Sequence, residues 1–508
     1  MSSDDITLVL TTREWDWWWS MQEITRALER VWVGIGQSSR ENVRMLRVPL
    51  PPEIEQRLPT LASQLKRIII TAAAPGSVRA ALLLRVQMKV AAPMIIYIHG
   101  DATNGLHAFG ALADVLTESD TFVVSCEAEA VTVRCCFPNA RVSVIPFPLV
   151  GRFKLNDGER DTRCKTARLA YVGRVSEQKN LHTLLFTLWI LRTSYDHAPG
   201  ITLDVYGGED NLGSPNMGLK YPNYGTYLQG LTELLGVADM VTWHGAKPRD
   251  WLFDNVHLEP HILVSPTLHS DENFGSSVLA SLVNGHQVVT TAWGGHFGFQ
   301  EWFPQQLILV PVHRSTMGPV AHPVLLANAI LQAINRMSTV VVKDAALDRA
   351  RAEFSESTVT TRTFGLLSQP DRDPVSLEKS STQRYIDERR VFFGGTRMIY
   401  ADYKDPVVQI FFEAYGMKEP LTFEERSRYV LPPWVSYSNH VLRIDDPHRG
   451  QQSFSLDATI SSPLEVTMCP SMDTCRLPEG LVKSLMTQGY AFPLPPEHAA
   501  KAGEIPGT

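Results

Sequence analysis

The stretch RLAYVGRVSEQK, residues 168–179, decides the fold. Leu169, Ala170, Tyr171 and Val172 run apolar without alternation, as a central parallel strand covered on both faces does. Gly173 lets the backbone turn, and Arg174 and Lys179 stand either side of Ser176, an N-cap candidate with Glu177 behind it in the first turn of an expected helix. A helix N-terminus flanked by a guanidinium and an ammonium favours a dianionic ligand, by geometry and by field. Taken alone, the segment reads at least as well as a strand, turn and helix carrying two solvated cations.

The next informative stretch is HILVSPTLHSDENFGSSVLASLVNGHQVVTTAWGG, residues 261–295. It reads as a strand over 262–264, a loop over 271–275, a helix over 276–282, a strand over 288–290 and a glycine turn. Gly275 permits close backbone approach, and Ser276 and Ser277 open the helix, so free amides point into the crevice at the carboxyl ends of parallel strands. Glu272 stands at that rim, where a carboxylate accepts hydrogen bonds from sugar hydroxyls; the plainer account is an acidic loop residue stabilised by the helix dipole.

With these residues in view, the chain resembles a family 4 glycosyltransferase of the GT-B fold, a family of retaining enzymes that use nucleotide-sugar donors. The resemblance covers residues 1–367 and is strongest over 168–295. YVGRVSEQKN is similar to the family's strand followed by Gly-Arg and a lysine five residues on. LDVYGGED is similar to its strand and glycine loop, and LTELLGVADMVTWHGAKPRDWL to the helix leading into a Val-Thr-x-x-Gly strand. DENFGSSVLASLVNGHQVVTT resembles the Glu-x-Phe-Gly signature and the strand after it, and ARAEFSESTVTTRTFGLL, residues 350–367, the long helix that closes the nucleotide domain. The order of the five matches is more specific than any one of them.

The resemblance implies an α/β chain of two Rossmann-like parallel-sheet domains facing across a cleft. It implies Arg174 and Lys179 on the donor diphosphate, Glu272 on the sugar, and Gly173, Gly245, Asn273, Phe274, Gly275, Ser276 and Ser277 lining the donor site. His99, in HGD at the end of an expected strand, matches the position from which relatives direct a histidine at the donor sugar; by itself a histidine before glycine is an ordinary loop residue. No metal and no cofactor are implied. Two departures stand out: the family's second glutamate is replaced by Ala280, beside which Ser281 offers only a hydroxyl, and the proline before the Val-Val strand is Gln287. A hydrogen bond to a charged acceptor is worth roughly 1.5–3 kcal/mol, so the first departure weakens donor binding without abolishing it.

The first half supplies strands at 6–11, 68–71, 94–98, 122–124 and 141–146, the alternation of a parallel sheet. After the first of them the chain carries TTREWDWWWSMQEITRALERV, where relatives have a glycine-rich loop. Trp15, Trp17, Trp18 and Trp19 cannot all face inward on one helix, so packing, an acceptor-site role and a peripheral membrane contact all stay open. Arg13 and Glu14 sit at the strand's end within reach of a substrate. The expected division is a first domain over 1–154, a charged hinge over 155–165, a nucleotide-sugar domain with its closing helix over 166–369, and an extension over 370–508 without a catalytic motif, in which 406–415 reads as a helix and SFSLDATI and PLEVTM as strands.

Composition agrees. The 508 residues carry a net charge of −7 and 44% hydrophobic content, which suits large cores and argues against nucleic acid as a partner. The start MSSDDITLVL lacks the basic segment of a signal peptide, and no apolar stretch is long enough to span a bilayer, so the expected location is cytoplasmic, with membrane association left open. The 6 cysteines are scattered, as in a reducing compartment. The expected activity is transfer of a sugar, hexosyl-like, from a nucleotide-diphosphate sugar to a carbohydrate, lipid-linked or other hydroxyl acceptor. The alternative is a catalytically weakened GT-B homologue that binds or scaffolds. A nicotinamide oxidoreductase is disfavoured because no G-x-G-x-x-G follows a first strand.

Overall fold

The computed structural model describes residues 5–494 apart from 15, 17–18, 100–109, 150–165, 196–199, 210–222, 258–260, 270–271, 317, 340–343, 371, 393–405, 423–427, 439–440, 447–449, 456–462 and 472–473. The expected hinge, the tryptophans Trp15, Trp17 and Trp18, and the proline-rich end therefore lie outside the described residues, as does the side chain of Trp19. The chain divides into two compact units: Met1–Val150 with Asn273–Ser276 and Asp348–Tyr400, and Gly151–Glu272 with Ser277–Leu347 and Ala401–Thr508.

In the first unit, strands β1 (Ile6–Thr12), β2 (Asn42–Val48), β3 (Leu65–Ile70), β4 (Met94–Tyr97), β5 (Thr121–Val124) and β6 (Arg141–Val144) form one sheet in the order β2-β1-β3-β4-β5-β6, with every pairing parallel. β1, β4 and β5 are buried along their whole length, as strands covered on both faces must be. β2 is half exposed and carries Arg44 and Arg47, so its sequence lacks the apolar run that marks the others and no strand was expected there.

In the second unit, β7 (Thr166–Val172), β8 (Gly200–Tyr206), β9 (Val241–Gly245), β10 (Ile262–Ser265), β11 (Gln287–Thr291) and β12 (Leu307–Val310) form a parallel sheet ordered β12-β11-β10-β7-β8-β9. The chain starts in the middle at β7, builds outward through β8 and β9, then returns to build the other half from β10. This is the doubly wound Rossmann order, with its switch point between β7 and β10. The helix Leu181–Ser194 behind β7 is apolar all round, and residues 181–191 are buried. It lies within the core, packed on the sheet and on the helix Pro323–Thr339; each of its buried leucines is worth roughly 1.5–3 kcal/mol against exposure.

The expectation of two Rossmann-like sheets holds, but the division of the chain differs from the expected one. The closing helix, Glu356–Leu366, belongs to the first unit, not to the nucleotide domain. Val359, Leu366 and Leu367 join Leu28, Trp32 and Ile35 of the helix Trp19–Ser38 in one apolar cluster, Arg67 donates to the Leu367 carbonyl at 2.8 Å, and Arg30 pairs with Glu356 at 2.8 Å. Nor is 370–508 a separate appendage. Its early part stays with the first unit, where Leu377 N donates to Leu116 O at 2.9 Å and Ser380 N to Cys136 O at 3.0 Å. Its later part is built into the second: Val430, Cys469 and Phe492 enter the core around Leu181–Ser194. Short strands and a helix lie over 429–493; the strand-like run PLEVTM is the strand Pro463–Met468, and most of the others have apolar runs too brief to announce them.

Candidate active site in the second unit

The carboxyl ends of β7 and β10 converge on one polar cluster. After β7 the chain makes a 3-10 turn, Glu177–Lys179, then places Asn180 in the left-handed region at φ 58° before the helix begins at Leu181. The helix therefore begins about one turn later than an N-cap at Ser176 would set it: Ser176 makes no cap bond and its hydroxyl is buried without a partner among the described residues. Lys179 consequently stands on the 3-10 turn, held by Lys179 N to Ser176 O at 3.0 Å. Tyr171 fixes the turn from below, its hydroxyl donating to the Arg174 carbonyl at 2.6 Å. The loop must pass close to its neighbour: a Cβ on Gly207 would sit 1.7 Å from the Gly173 carbonyl oxygen.

From β10 comes the loop that carries Glu272. Lys179 Nζ donates to Glu272 Oε2 at 2.5 Å and Thr267 Oγ1 donates to the same oxygen at 3.0 Å. Both charged side chains are nearly buried, 14% and 12% exposed, so the pair is screened little by solvent. Burial pushes the Glu272 carboxyl up, but the Lys179 ammonium outweighs it and holds the carboxyl well below the usual carboxylate range. Arg174 joins through His269, with Nη2 to Nε2 at 3.2 Å. Arginine only donates, so His269 Nε2 is the acceptor and Nδ1 carries the hydrogen. Burial, reinforced by Lys179 and Arg174, keeps His269 neutral.

A third strand end completes the cluster. The glycine turn after β11 brings His296 to Glu272, Nε2 to Oε1 at 4.0 Å, and Gly295 N donates to the Glu272 carbonyl at 2.8 Å. Gly294 has φ 56°, and a Cβ there would lie 2.1 Å from that carbonyl oxygen. The later chain supports this turn: Gly294 N donates to Tyr415 O at 2.9 Å, and Trp293 packs on Phe412 and Tyr415 just beyond the helix Pro406–Ala414.

Of the residues chosen from sequence, the structure thus brings together Arg174, Lys179 and Glu272. Gly173 and Gly245 lie at the neighbouring strand ends, Gly173 N bonded to Tyr206 O and Gly207 N to Gly245 O, both at 3.0 Å. Ser277 is in the helix Ser276–Val283. Asn273, Phe274, Gly275 and Ser276 group with the first unit, where Ser125 Oγ donates to the Asn273 carbonyl at 3.0 Å and Phe274 meets Phe147 with ring centroids 5.2 Å apart. His99 is also in the first unit. Its Nε2 donates to the Thr71 carbonyl at 2.6 Å, and burial pushes its pKa down to about 4, so it is a neutral imidazole beside Phe147. Ser281 does not replace the missing carboxylate at Ala280: its hydroxyl is fully buried and bonded to His257 Nδ1 at 3.1 Å and His261 Nε2 at 3.2 Å.

Sequence reading missed His269, His296 and Thr267. All three lie inside or one residue beyond the quoted 261–295 stretch, and the signal for them was position at a strand's carboxyl end, which a lone histidine or threonine does not advertise. Among the described residues no group of three or more His, Cys, Asp or Glu is arranged to hold a metal ion, and no helix is long and apolar enough to cross a membrane.

No family model and no curated protein matches this sequence. Among solved structures, the chain is similar to the lipopolysaccharide outer core galactosyltransferase WaaB in its apo form, at 12% identity and TM-score 0.48, covering 72% of this chain and 99% of that one. It is similar to a trehalose-6-phosphate structure from E. coli bound with UDP-2-fluoro glucose, at 13% identity and TM-score 0.43, covering 63% and 79%. It is similar to the pneumococcal O-GlcNAc transferase GtfA in complex with UDP and GlcNAc, at 12% identity and TM-score 0.40, covering 59% and 56%. At these identities and scores the likenesses add nothing to what the strand order establishes by itself.

Proposed function

We propose that the chain is a retaining glycosyltransferase that moves a sugar from a nucleotide-diphosphate donor to an acceptor hydroxyl. The observation that carries this reading is the meeting of Arg174, Lys179 and Glu272 at the switch point of the second sheet, where open α/β sheets bind their ligands. Two cations on a glycine turn suit a diphosphate, and a carboxylate beside them suits the hydroxyls of the sugar attached to it.

In this reading the acceptor oxygen bonds to the anomeric carbon from the face the diphosphate leaves. The electron pair of the breaking C–O bond goes to the diphosphate, and the acceptor's proton passes to a departing phosphate oxygen. Arg174 and Lys179 stabilise the charge that develops on the leaving group, the largest contribution the protein makes. Lys179 holds Glu272 in the free protein, so an arriving diphosphate shares that ammonium with the carboxylate. No metal is required.

The buried Ala280 and the engaged Ser281 favour a second reading, a weakened homologue that binds without efficient turnover, because neither offers the ribose a free polar group. Incubation of the purified protein with radiolabelled UDP- and GDP-sugars and a panel of glycan and lipid-linked acceptors separates the two. Label transferred with the donor's anomeric configuration retained is expected. Inverted product contradicts retention, and donor binding without transfer to any acceptor favours the second reading.

A further inference from the structure

Beside the cations, the second unit presents two buried hydrogen-bond acceptors that face each other with no hydrogen between them. Thr290 Oγ1 donates to the Ser265 carbonyl at 2.8 Å, so its hydrogen is committed, and the 2.8 Å contact it makes with His296 Nδ1 requires that nitrogen to be the donor. The Thr291 carbonyl, 3.3 Å from the same nitrogen, agrees. His296 is therefore the Nδ1–H tautomer; burial lowers its pKa and keeps it neutral, and Nε2 is a bare acceptor. That atom is buried without a hydrogen-bond partner among the described residues. Opposite it, 4.0 Å away, is Glu272 Oε1. Lys179 and Thr267 both bond to the other carboxylate oxygen, Oε2.

A buried acceptor left open, as His296 Nε2 is, costs free energy unless a donor arrives, and Glu272 Oε1 beside it is the carboxylate oxygen that Lys179 and Thr267 do not hold. Their spacing is preset, because Glu272 is pinned through its second oxygen and through Gly295 N on its carbonyl, while His296 is pinned through Nδ1. A phosphate, which only accepts, is repelled here; a group with two O–H donors on neighbouring carbons fits. The cluster therefore sorts a ligand by polarity, with cations for the anion and acceptors for the hydroxyls.

We infer that His296 Nε2 and Glu272 Oε1 together accept hydrogen bonds from two adjacent hydroxyls of the donor's sugar ring, which makes His296 a residue that reads the sugar. This rests on the proposed function, and it adds a residue that neither composition nor motif marks.

The test is calorimetric titration of the wild-type protein, His296→Asn and His296→Gln with UDP and GDP, with their glucose, galactose and mannose conjugates, and with conjugates lacking one ring hydroxyl at a time. Asparagine keeps a donor where Nδ1 stood and removes the Nε2 acceptor; glutamine returns an amide oxygen near the Nε2 position. The expected result is that the free diphosphate binds all three proteins within about 2-fold. The preferred conjugate should bind His296→Asn about 10-fold more weakly, with most of the loss recovered in His296→Gln. Removing one particular hydroxyl should weaken the wild type by a similar factor and His296→Asn hardly at all. Equal conjugate affinity in wild type and His296→Asn overturns the inference alone, as does a parallel loss of the free diphosphate, which marks a damaged loop. A wild-type protein that binds no nucleoside diphosphate overturns the proposed function and this inference with it.

Discussion

The two sheets of this protein offer the same kind of place for a ligand and furnish it differently. At the switch point of the first sheet, between β1 and β3, Arg13 pairs with Glu29 at 2.6 Å, Glu14 accepts from Gly76 N at 2.8 Å and from Thr12 at 3.2 Å, and His99 donates to the Thr71 carbonyl. Arg13 and Glu14 are answered within the unit, while His99 Nδ1 is buried without a hydrogen-bond partner among the described residues. At the switch point of the second sheet, Lys179 and Glu272 form a nearly buried pair, and His269 Nδ1 and His296 Nε2 are buried without hydrogen-bond partners. Both sites hold an unanswered imidazole nitrogen; what singles out the second is a nearly buried ion pair with a second cation joined to it through His269, and that charge at a switch point is what points to a ligand.

The largest test of this contrast is Lys179→Ala. Removing the ammonium leaves Glu272 as an uncompensated buried carboxylate, at a cost of about 3–5 kcal/mol in urea unfolding, together with loss of nucleoside diphosphate binding by 100-fold or more. Combining Lys179→Met with Glu272→Gln should recover most of the stability and none of the binding. A single variant as stable as wild type would mean that the pair is not the buried element described here.

Next come the tight backbone approaches. Gly207→Ala and Gly294→Ala each force a Cβ into a carbonyl oxygen and should cost about 3 kcal/mol, whereas Gly298→Ala, with nothing within 4 Å of the added carbon, should stay within 1 kcal/mol. Equal effects at all three positions would show that the second unit's strand-end loops are not held as closely as drawn.

Acid acts on the buried histidines of both units. His99 has a folded pKa of about 4, below its ordinary 6.5, so the unfolded chain takes up a proton between those values while the folded one does not. Stability is therefore full above pH 6.5 and falls as pH drops toward 4, by about 3 kcal/mol from this group. Glu272 has a folded value depressed below 4.5, so its contribution is present above that pH and is lost as pH falls below it. The buried neutral histidines His257, His269, His296 and His322 weaken the second unit as pH falls below 6.5 as well, so His99→Gln should flatten only the part of the profile between pH 6.5 and 4 that the first unit contributes. A profile unchanged by that substitution would contradict the buried neutral histidine.

The smallest expected effect is at Ser281. Ser281→Ala leaves two buried histidine nitrogens short of a partner and should cost about 1 kcal/mol, with nucleotide affinity unchanged. A marked loss of affinity would restore this residue to the ribose and remove the contrast drawn with the missing glutamate.

Sequence made the sheets legible where strands are buried on both faces. Leu169–Val172 and Ile262–Val264 are apolar runs that nothing but a central strand explains, and both are strands. It failed at β2, where one face is wet and arginines interrupt the run, and at most of the short strands beyond residue 428, which bury one another's side chains in a small core of their own; the run PLEVTM was legible and is the strand Pro463–Met468. It also failed at the closing helix, because an amphipathic stripe says that Glu356–Leu366 must pack but not on which unit. At the site, the charged residues were readable from their spacing around glycine turns. The neutral histidines His269 and His296 were not, since their roles come from hydrogen bonds that fix a tautomer, and sequence carries no trace of those.

The measurement that bears most directly on the central claim is a thermal-shift titration with UDP, GDP and ADP on wild type and Arg174→Ala. At 100 times its dissociation constant a ligand stabilises by about 2.7 kcal/mol, enough to raise the midpoint by several degrees. The account predicts such a rise for at least one diphosphate in the wild type, and its loss or a rise reduced by most of that amount in Arg174→Ala. No rise with any diphosphate at millimolar concentration, or the same rise in both proteins, would contradict a diphosphate site at the switch point of the second sheet.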